Sequence, residues 1–260
     1  MKIIEQSAEI LDWSGLDLYQ RVEQAARVCR RSESKGDAAG FVRSLIRRGH
    51  FPPLEFARVE QLFGPATRVF YNARSLRGYV ENGEMSVTAS LCVSTLIDQY
   101  PAFFDDLPPF EKSYSKYAVT VPANDWIPVL FVTSRTISHQ LVRYRREITF
   151  CQESQRHVRY DRDGIEVIAP PGLYDRSLLR FEQACEASEQ AYMAMIKLFG
   201  ATAEQARAVL PGCTATRILA YASPDEWRHI FSQRCDSHAD PQMAALMRPL
   251  EAEMKERGMI

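Results

Sequence analysis

Ser138-His139-Gln140-Leu141-Val142-Arg143-Tyr144-Arg145-Arg146, followed closely by Thr149-Phe150-Cys151-Gln152-Glu153-Ser154-Gln155-Arg156-His157, decides how the rest of the chain is read. The spacing predicts an amphipathic helix over Ser134–Arg145 that runs into a polar loop. On that helix Gln140, Arg143 and Tyr144 share a side at i, i+3 and i+4. Arg143 and Arg145 point to different faces, so one segment can serve two ligands. A charge run taken alone is usually a solvated surface. Here Gln152, Glu153, Ser154, Gln155 and Arg156 stand beside it, and such a density of fixed donors suits a flat, phosphorylated, polar ligand. Guanidinium forks match phosphate and carbonyl oxygens, and a glutamine amide reads the edge of a base.

Composition narrows the classes. The chain has 260 residues, 46% hydrophobic and 25% charged, an ordinary globular balance. Its 32 Lys+Arg against 33 Asp+Glu leave a formal net charge of -1, which argues against non-specific nucleic-acid binding. Anionic ligands must then be met by local arginine clusters. Cys29, Cys92, Cys151, Cys185, Cys213 and Cys235 form no C-x-x-C pair and fit no zinc spacing, so no metal site is expected. They read as reduced thiols of a cytoplasmic protein. The amino-terminal residues show no signal-peptide core, and no apolar run approaches a membrane span.

Periodicity places the elements. Lys2–Ile4 reads as a strand, and Leu16–Arg31 and Ala38–Arg48 read as helices, the second closed by Gly49. Pro52 and Pro53 stiffen a turn between His50 and Glu55. Within 57–130, Asn82-Gly83 suits a hairpin, yet Val87, Leu91, Leu96 and Ile97 equally suit a helix. No linker-like composition bounds this stretch, so it reads as an inserted lobe of one domain spanning 1–260. Ile165–Ala169 and Thr216–Tyr221 read as strands, Ser177–Phe199 as a long helix, and Thr202–Leu210 as a short one. Ser223-Pro224-Asp225-Glu226 matches a capping box opening the final helix, with Trp227, Ile230, Phe231 and Arg234 on one face.

Other candidates are weighed singly. Arg234 ends an apolar stripe, and a partly buried arginine needs an anionic or carbonyl partner. The plain alternative is an internal bridge to Asp236, Asp240 or another acid. Arg207 serves a helix end or a ligand about equally well. Ser154 has no His-Asp pair nearby in sequence and no G-x-S-x-G context, which argues against a hydrolase nucleophile. The glycines form no G-x-G-x-x-G or P-loop pattern, so a dinucleotide is not held by a Rossmann fold.

Three segments, in order, resemble the flavin-dependent thymidylate synthases, the ThyX family. They are Arg47-Arg48-Gly49-His50-Phe51-Pro52-Pro53-Leu54-Glu55, the stretch from Ser138 to His157, and the stretch from Ala206 to Asp240. The third includes Ala206-Arg207-Ala208-Val209-Leu210-Pro211, Trp227-Arg228-His229 and Arg234-Cys235-Asp236-Ser237-His238-Ala239-Asp240. The resemblance implies an α+β fold with a central mixed or antiparallel sheet flanked by helices, and an inserted lobe at about 57–130. It also implies a homotetramer with shared active sites. FAD, methylenetetrahydrofolate and NADPH would serve C5-methylation of dUMP, with UMP a further substrate. By position, Gln140, Arg143, Gln152, Glu153, Ser154, Gln155, Arg156, Arg207 and Arg234 would meet the pyrimidine nucleotide. Arg234 would act in catalysis by favouring the N3-ionised uracil. His50, Glu55, Arg143, Tyr144, Arg145, Ser223 and His229 would line the flavin.

The chain departs from the family pattern at several places. Tyr144 stands in the middle of the family's Arg-His-Arg triplet, and one extra residue separates Arg145 from Ser154. Pro52 replaces a hydroxyl residue, Ser223 and Asp225 stand where Asn and Arg are common, and His157 replaces Tyr. These changes fit a specialised relative of the kind that methylates UMP or dUMP in polyoxin-type antibiotic pathways. Two other readings stay open: a flavoprotein that oxidises NADPH without methyl transfer, and a non-catalytic nucleotide-binding protein.

Overall fold

The computed structural model describes residues 1–50, 52–63, 75–81, 84–92, 118–122 and 126–260, with the backbone alone given for the strands between 58 and 122. In chain order it shows β1 (Lys2–Ile3), β2 (Ser7–Ile10), α1 (Leu18–Val28), α2 (Ala38–Arg47), a 3-10 turn (Pro52–Phe56), β3 (Arg58–Phe63) and β4 (Ser75–Glu81). Then come β5 (Glu84–Cys92), β6 (Ala118–Pro122), β7 (Ile127–Ser134), α3 (Arg135–Leu141), β8 (Ile148–Gln152) and β9 (Glu166–Val167). The chain continues through α4 (Asp175–Lys197), α5 (Ala203–Ala206), a 3-10 turn (Arg207–Val209), β10 (Ala215–Ala222), α6 (Pro224–Arg234) and α7 (Pro241–Glu256). This is the α+β class expected from the sequence. Among the described residues, no helix is long and apolar enough to cross a membrane.

The chain forms two compact units. The first comprises Met1–Leu11, Arg27–Ser32 and Ile127–Ile260. Its sheet runs in the order β2-β7-β10-β8, antiparallel throughout. The central strands, Ile-Pro-Val-Leu-Phe-Val-Thr-Ser and Ala-Thr-Arg-Ile-Leu-Ala-Tyr-Ala, are nearly continuous apolar runs because both are flanked by neighbours and covered. Alternate residues Ile127, Val129 and Phe131 of β7, and Ile218, Ala220 and Ala222 of β10, point into one core. Ile137 and Leu141 of α3, Trp227, Ile230 and Phe231 of α6, and Met243, Met247 and Leu250 of α7 fill it. Trp227 stacks on Phe231 at 5.8 Å and donates Nε1–H to the carbonyl of Ile127 at 3.2 Å. A smaller core lies under α4, where Tyr160 meets Tyr192 edge-on at 5.8 Å beside Ile165, Val167 and Cys185. There β1 and β9 pair in parallel.

The second unit comprises Asp12–Ala26 and Glu33–Trp126. It contains α2, most of α1 and an antiparallel sheet ordered β4-β5-β3-β6. Asp37 caps α2 through its Oδ1, which accepts from the Gly40 amide at 2.8 Å. At the other end the His50 amide reaches the Leu45 carbonyl and the Gly49 amide reaches that of Ile46, both at 2.9 Å. That Schellman geometry needs the left-handed φ of +65° at Gly49, which glycine adopts without a Cβ clash. β4 pairs antiparallel with β5, Glu81 against Glu84, so Val87 and Leu91 lie on a strand and the helix alternative fails for them. Phe51, Asn82, Gly83, Leu96 and Ile97 lie outside the described residues.

Several elements differ from the sequence reading. The helix expected over Ser134–Arg145 ends at Leu141. The chain must reach β8 at Ile148, which pairs with Ala222, and the Ser223 amide binds the Glu147 carbonyl at 3.1 Å. Residues 148–152 are therefore a strand, and the polar loop begins only at Glu153. Elements missed include the short edge strand β2, the central strand β7 and the 16-residue helix α7. The capping box of α6 is half formed. Ser223 Oγ accepts from the Glu226 amide at 3.1 Å, but the return partner of the Ser223 amide is Glu147 rather than the Glu226 side chain.

Candidate functional site

The site is built where α3, α6 and α7 meet around the chain leaving α3. Ser134 Oγ caps α3 by accepting from the Ile137 amide at 3.3 Å. Past Leu141 the backbone turns, with the Tyr144 amide on the Leu141 carbonyl at 3.1 Å. Arg143, Arg145 and Arg146 therefore splay from a turn into solvent rather than ranging along a helix face, while Tyr144 between them is buried. Its ring packs edge-on against His229 at 5.9 Å.

From Tyr144 a polar chain runs across three helices. Arg234 Nε donates to Tyr144 Oη at 2.8 Å, and Tyr144 Oη donates to Gln233 Oε1 at 3.2 Å. Arg234 Nη1 donates to Gln140 Oε1 at 3.3 Å, and Gln140 Nε2 donates to Asp240 Oδ2 at 3.0 Å. Asp240 Oδ1 meanwhile caps α7 by accepting from the amides of Gln242 at 2.9 Å and Met243 at 3.2 Å. The Arg234 guanidinium also lies 5.3 Å from the Tyr144 ring centroid. Burial raises the Tyr144 phenol above its ordinary value, with the Arg234 charge acting the other way. Tyr144 is therefore a neutral phenol at physiological pH. Among the described residues Arg234 forms no ion pair. The bridge weighed for it does not form: Asp240 reaches it only through Gln140, and Asp236 pairs with His238 on the surface.

A cavity of about 460 Å³ opens beside this chain. Arg143, Arg145, Arg146 and Arg234 line it with Tyr144 and His229, and Glu226 and Gln233 complete the wall. Four guanidiniums against one carboxyl give it a strong positive bias. Sequence reasoning missed Glu226, Arg146 and Gln233 as wall residues. Glu226 was taken for a cap partner, and that assignment hid it.

The remaining expected residues lie elsewhere. Glu153 is fully buried in an ionic cluster. Its Oε2 meets Arg31 Nε at 2.7 Å and Arg217 Nη1 at 3.5 Å, and its Oε1 accepts from Tyr160 Oη at 2.5 Å. Arg31 and Arg217 both continue to Glu166, at 3.0 and 3.1 Å. Arg31 reaches this position with φ of +47°, a conformation side-chain-bearing residues seldom adopt. The Ser154 amide ties to the Cys29 carbonyl at 2.9 Å, beside Cys29 and Cys151 thiols 3.2 Å apart. Gln152 Nε2 donates to Ser138 Oγ at 2.7 Å and Thr216 Oγ1 at 3.2 Å. Gln155 is half-buried, and Arg156 pairs with Glu204 on the surface at 2.7 Å. Arg207 closes α5, half-exposed. Arg135, another residue missed, donates to the Glu153 carbonyl at 3.1 Å. Burial holds its guanidinium below the ordinary value, and the like charge of Arg207 pushes the same way. None of Gln152, Glu153, Ser154, Gln155, Arg156 and Arg207 lines the cavity. Ser223 caps α6 without lining it. His50, exposed, and Glu55, half-buried, belong to the second unit.

The family model described as "Thymidylate synthase complementing protein" matches residues 128–257, half of the chain. The chain belongs to that family. A flavin-dependent thymidylate synthase of Mycolicibacterium gilvum is 36% identical over 129 residues, 44% of this chain and 50% of that protein. One of Geobacter sulfurreducens is 37% identical over 115 residues, 44% of this chain and 49% of that protein. The chain thus spans about half the length of the curated relatives it matches. Among solved structures, a UMP/dUMP methylase PolB from Streptomyces cacaoi bound with 5-Br dUMP superposes with a TM-score of 0.50 at 16% identity. The superposition covers 98% of this chain and 93% of that one, a likeness of fold. The segment matched to the thymidylate synthase complementing family runs from β7 to α7. It therefore contains every residue of the cavity wall and of the chain from Asp240 to Gln233. His50, Glu55 and the sheet β3–β6 lie before it.

Proposed function

We propose that this chain is a flavin-dependent methylase of uridine monophosphates, converting dUMP to dTMP and accepting UMP as well. Methylenetetrahydrofolate would be the carbon donor, with NADPH as reductant. The observation that carries the reading is Arg234, a guanidinium held by two neutral acceptors on the wall of a cationic cavity, in a member of the thymidylate synthase complementing family.

The cavity suits the flavin dinucleotide on its donor set. Arg143, Arg145 and Arg146 offer forks to phosphate oxygens, and Tyr144 and His229 offer ring faces and edges. Bound there, reduced flavin would supply the hydride. This chain's residues would bind and polarise. Nε and Nη1 of Arg234 are committed to Tyr144 and Gln140, which leaves Nη2 for a ligand. Because its partners are neutral, its full positive charge remains available to stabilise a uracil ionised at N3. Gln140, its amide orientation set by Asp240, fixes the guanidinium plane.

Ser154, Gln155, Arg156 and Arg207, none of which lines the cavity, would meet the nucleotide from another subunit of a homotetramer, while the buried Glu153 would only support their loop through its ionic cluster. Residues 1–260 would then act as one domain with 57–130 as its elaboration, in a cytoplasmic enzyme.

The test is an absorbance spectrum of the purified protein, followed by parallel assays with dUMP and UMP in the presence of methylenetetrahydrofolate and NADPH. A flavin spectrum and a methyl-sized mass gain on the nucleotide support the reading. NADPH oxidation without that gain favours a flavoprotein oxidase, and a colourless protein that binds dUMP favours a binding protein. Light scattering checks the tetramer.

A further inference from the structure

Among the described residues, one buried polar side-chain atom meets no partner: Oε1 of Glu226. The residue is 4% exposed and stands in the first turn of α6, on the wall of the arginine-lined cavity. Its cap role is taken, since the Ser223 amide goes to Glu147. No guanidinium of the wall closes on it as an ion pair. The carboxyl accepts a hydrogen bond from the Glu147 amide, but an unmet oxygen on a buried carboxyl costs stability, and folding alone would favour its replacement.

We infer that Glu226 is a ligand-reading residue, accepting an N–H or O–H from a nucleoside diphosphate group whose phosphates lie on the arginines of the same cavity. The inference rests on the flavin reading in that the dinucleotide contains such a group. The charges decide the polarity. A phosphate beside Glu226 would be repelled, so the anionic end must face Arg143, Arg145 and Arg146, and a donor must face the carboxyl. Burial pushes the Glu226 carboxyl up and the Glu147 charge adds to the rise, while His229, Arg146 and the hydrogen bond from the Glu147 amide pull it down. A carboxyl raised in the folded state loses stability as pH rises through its folded value. Glu226→Gln should therefore leave the melting temperature unchanged or higher at pH 8.

Calorimetric titration tests this on the full chain, freed of co-purifying nucleotide by a high-salt wash, with ADP, IDP and inorganic pyrophosphate as probes. Wild type should bind ADP at least about tenfold more tightly than pyrophosphate, since a hydrogen bond to a charged group is worth that much. Glu226→Ala should remove that advantage, with pyrophosphate binding unchanged or tighter. Glu226→Gln, which keeps the shape and one acceptor oxygen, should fall between. IDP binding like ADP assigns the donor to the sugar hydroxyls, and weaker IDP binding assigns it to the base amino group. An unchanged ADP-to-pyrophosphate ratio in Glu226→Ala overturns the proposal, as does a wild type that binds none of the probes. So does a variant that melts earlier yet keeps the ratio, which marks Glu226 as structural. Methyl transfer is scored separately, so failure of the flavin reading and failure of the Glu226 assignment are told apart.

Discussion

Two arginine clusters in the same unit teach opposite lessons. Around Glu153, Arg31 and Arg217 face Glu153 and Glu166, two cations against two anions, with the Tyr160 hydroxyl donating to Glu153 as well. Around Tyr144, Arg234 faces a phenol and an amide, and among the described residues no ion pair compensates it. The first cluster has spent its charge on itself. The second is oriented without being neutralised, which is the condition for an arginine to bind something else. The identity of its partners, more than its burial, separates a structural guanidinium from one held ready for a ligand.

The sharpest break of this contrast is Glu153→Ala. It leaves two guanidiniums and a buried phenol around an empty place, and should destabilise by about 3–5 kcal/mol, read as a lower denaturant midpoint. A midpoint within experimental error of wild type would sink the structural reading of that cluster. Arg234→Ala should act on the other axis: kcat should fall by about 10²–10³ or more while flavin stays bound and the fold is retained. Retained turnover would refute its activating role.

A pH experiment sharpens the comparison further. Burial alone would raise the Glu166 carboxyl, but the hydrogen bonds and charges of Arg217 and Arg31 outweigh it and hold the group below its ordinary 4.5. A depressed carboxyl contributes stability that is present above 4.5 and is lost as pH falls through the lower folded value. Glu166→Gln should therefore flatten the acid limb of a melting-temperature profile, and parallel profiles for the two proteins would discard the explanation. The smallest effect belongs to Arg156→Ala. Its pair with Glu204 is about half exposed on both sides, so stability should change by no more than about 1 kcal/mol. If the residue meets nucleotide from another subunit, KM for dUMP should still rise.

Much of this arrangement could be read from residue order. The apolar run of β10, the Ser223-Pro224 start of α6 and the Asp37 and Gly49 ends of α2 follow local rules. Misreadings arose where tertiary demands overrode periodicity. Residues 142–145 continue a helical pattern, yet strand β8 must begin at Ile148, so the helix stops short. Thr149 to Gln152 look polar because their neighbours are, but they pair with β10. Helix α7 carried a usable signal, Asp240-Pro241, that went unread. Arg234, Tyr144, Gln140 and His229 were legible as a group through the family pattern, and the structure brings them together. Glu226 was not, because a capping box and a ligand carboxyl look alike until the partner of the Ser223 amide is known. Arg217, a lone charge within an apolar strand, could have flagged the ionic cluster.

Asp240 gives one oxygen to the first turn of α7 and the other to Gln140, and Gln140 steadies Arg234. Helix fraying and ligand capture therefore draw on a common equilibrium. When the cap opens, the guanidinium loses its orientation, and when a ligand fixes the guanidinium, the cap is less free to open. By thermodynamic reciprocity, nucleotide bound at Arg234 should slow hydrogen exchange at the amides of Gln242 and Met243, which no ligand atom need touch. The same coupling makes α7, whose Met243, Met247 and Leu250 sit in the main core, a reporter of occupancy as well as a pillar of the fold.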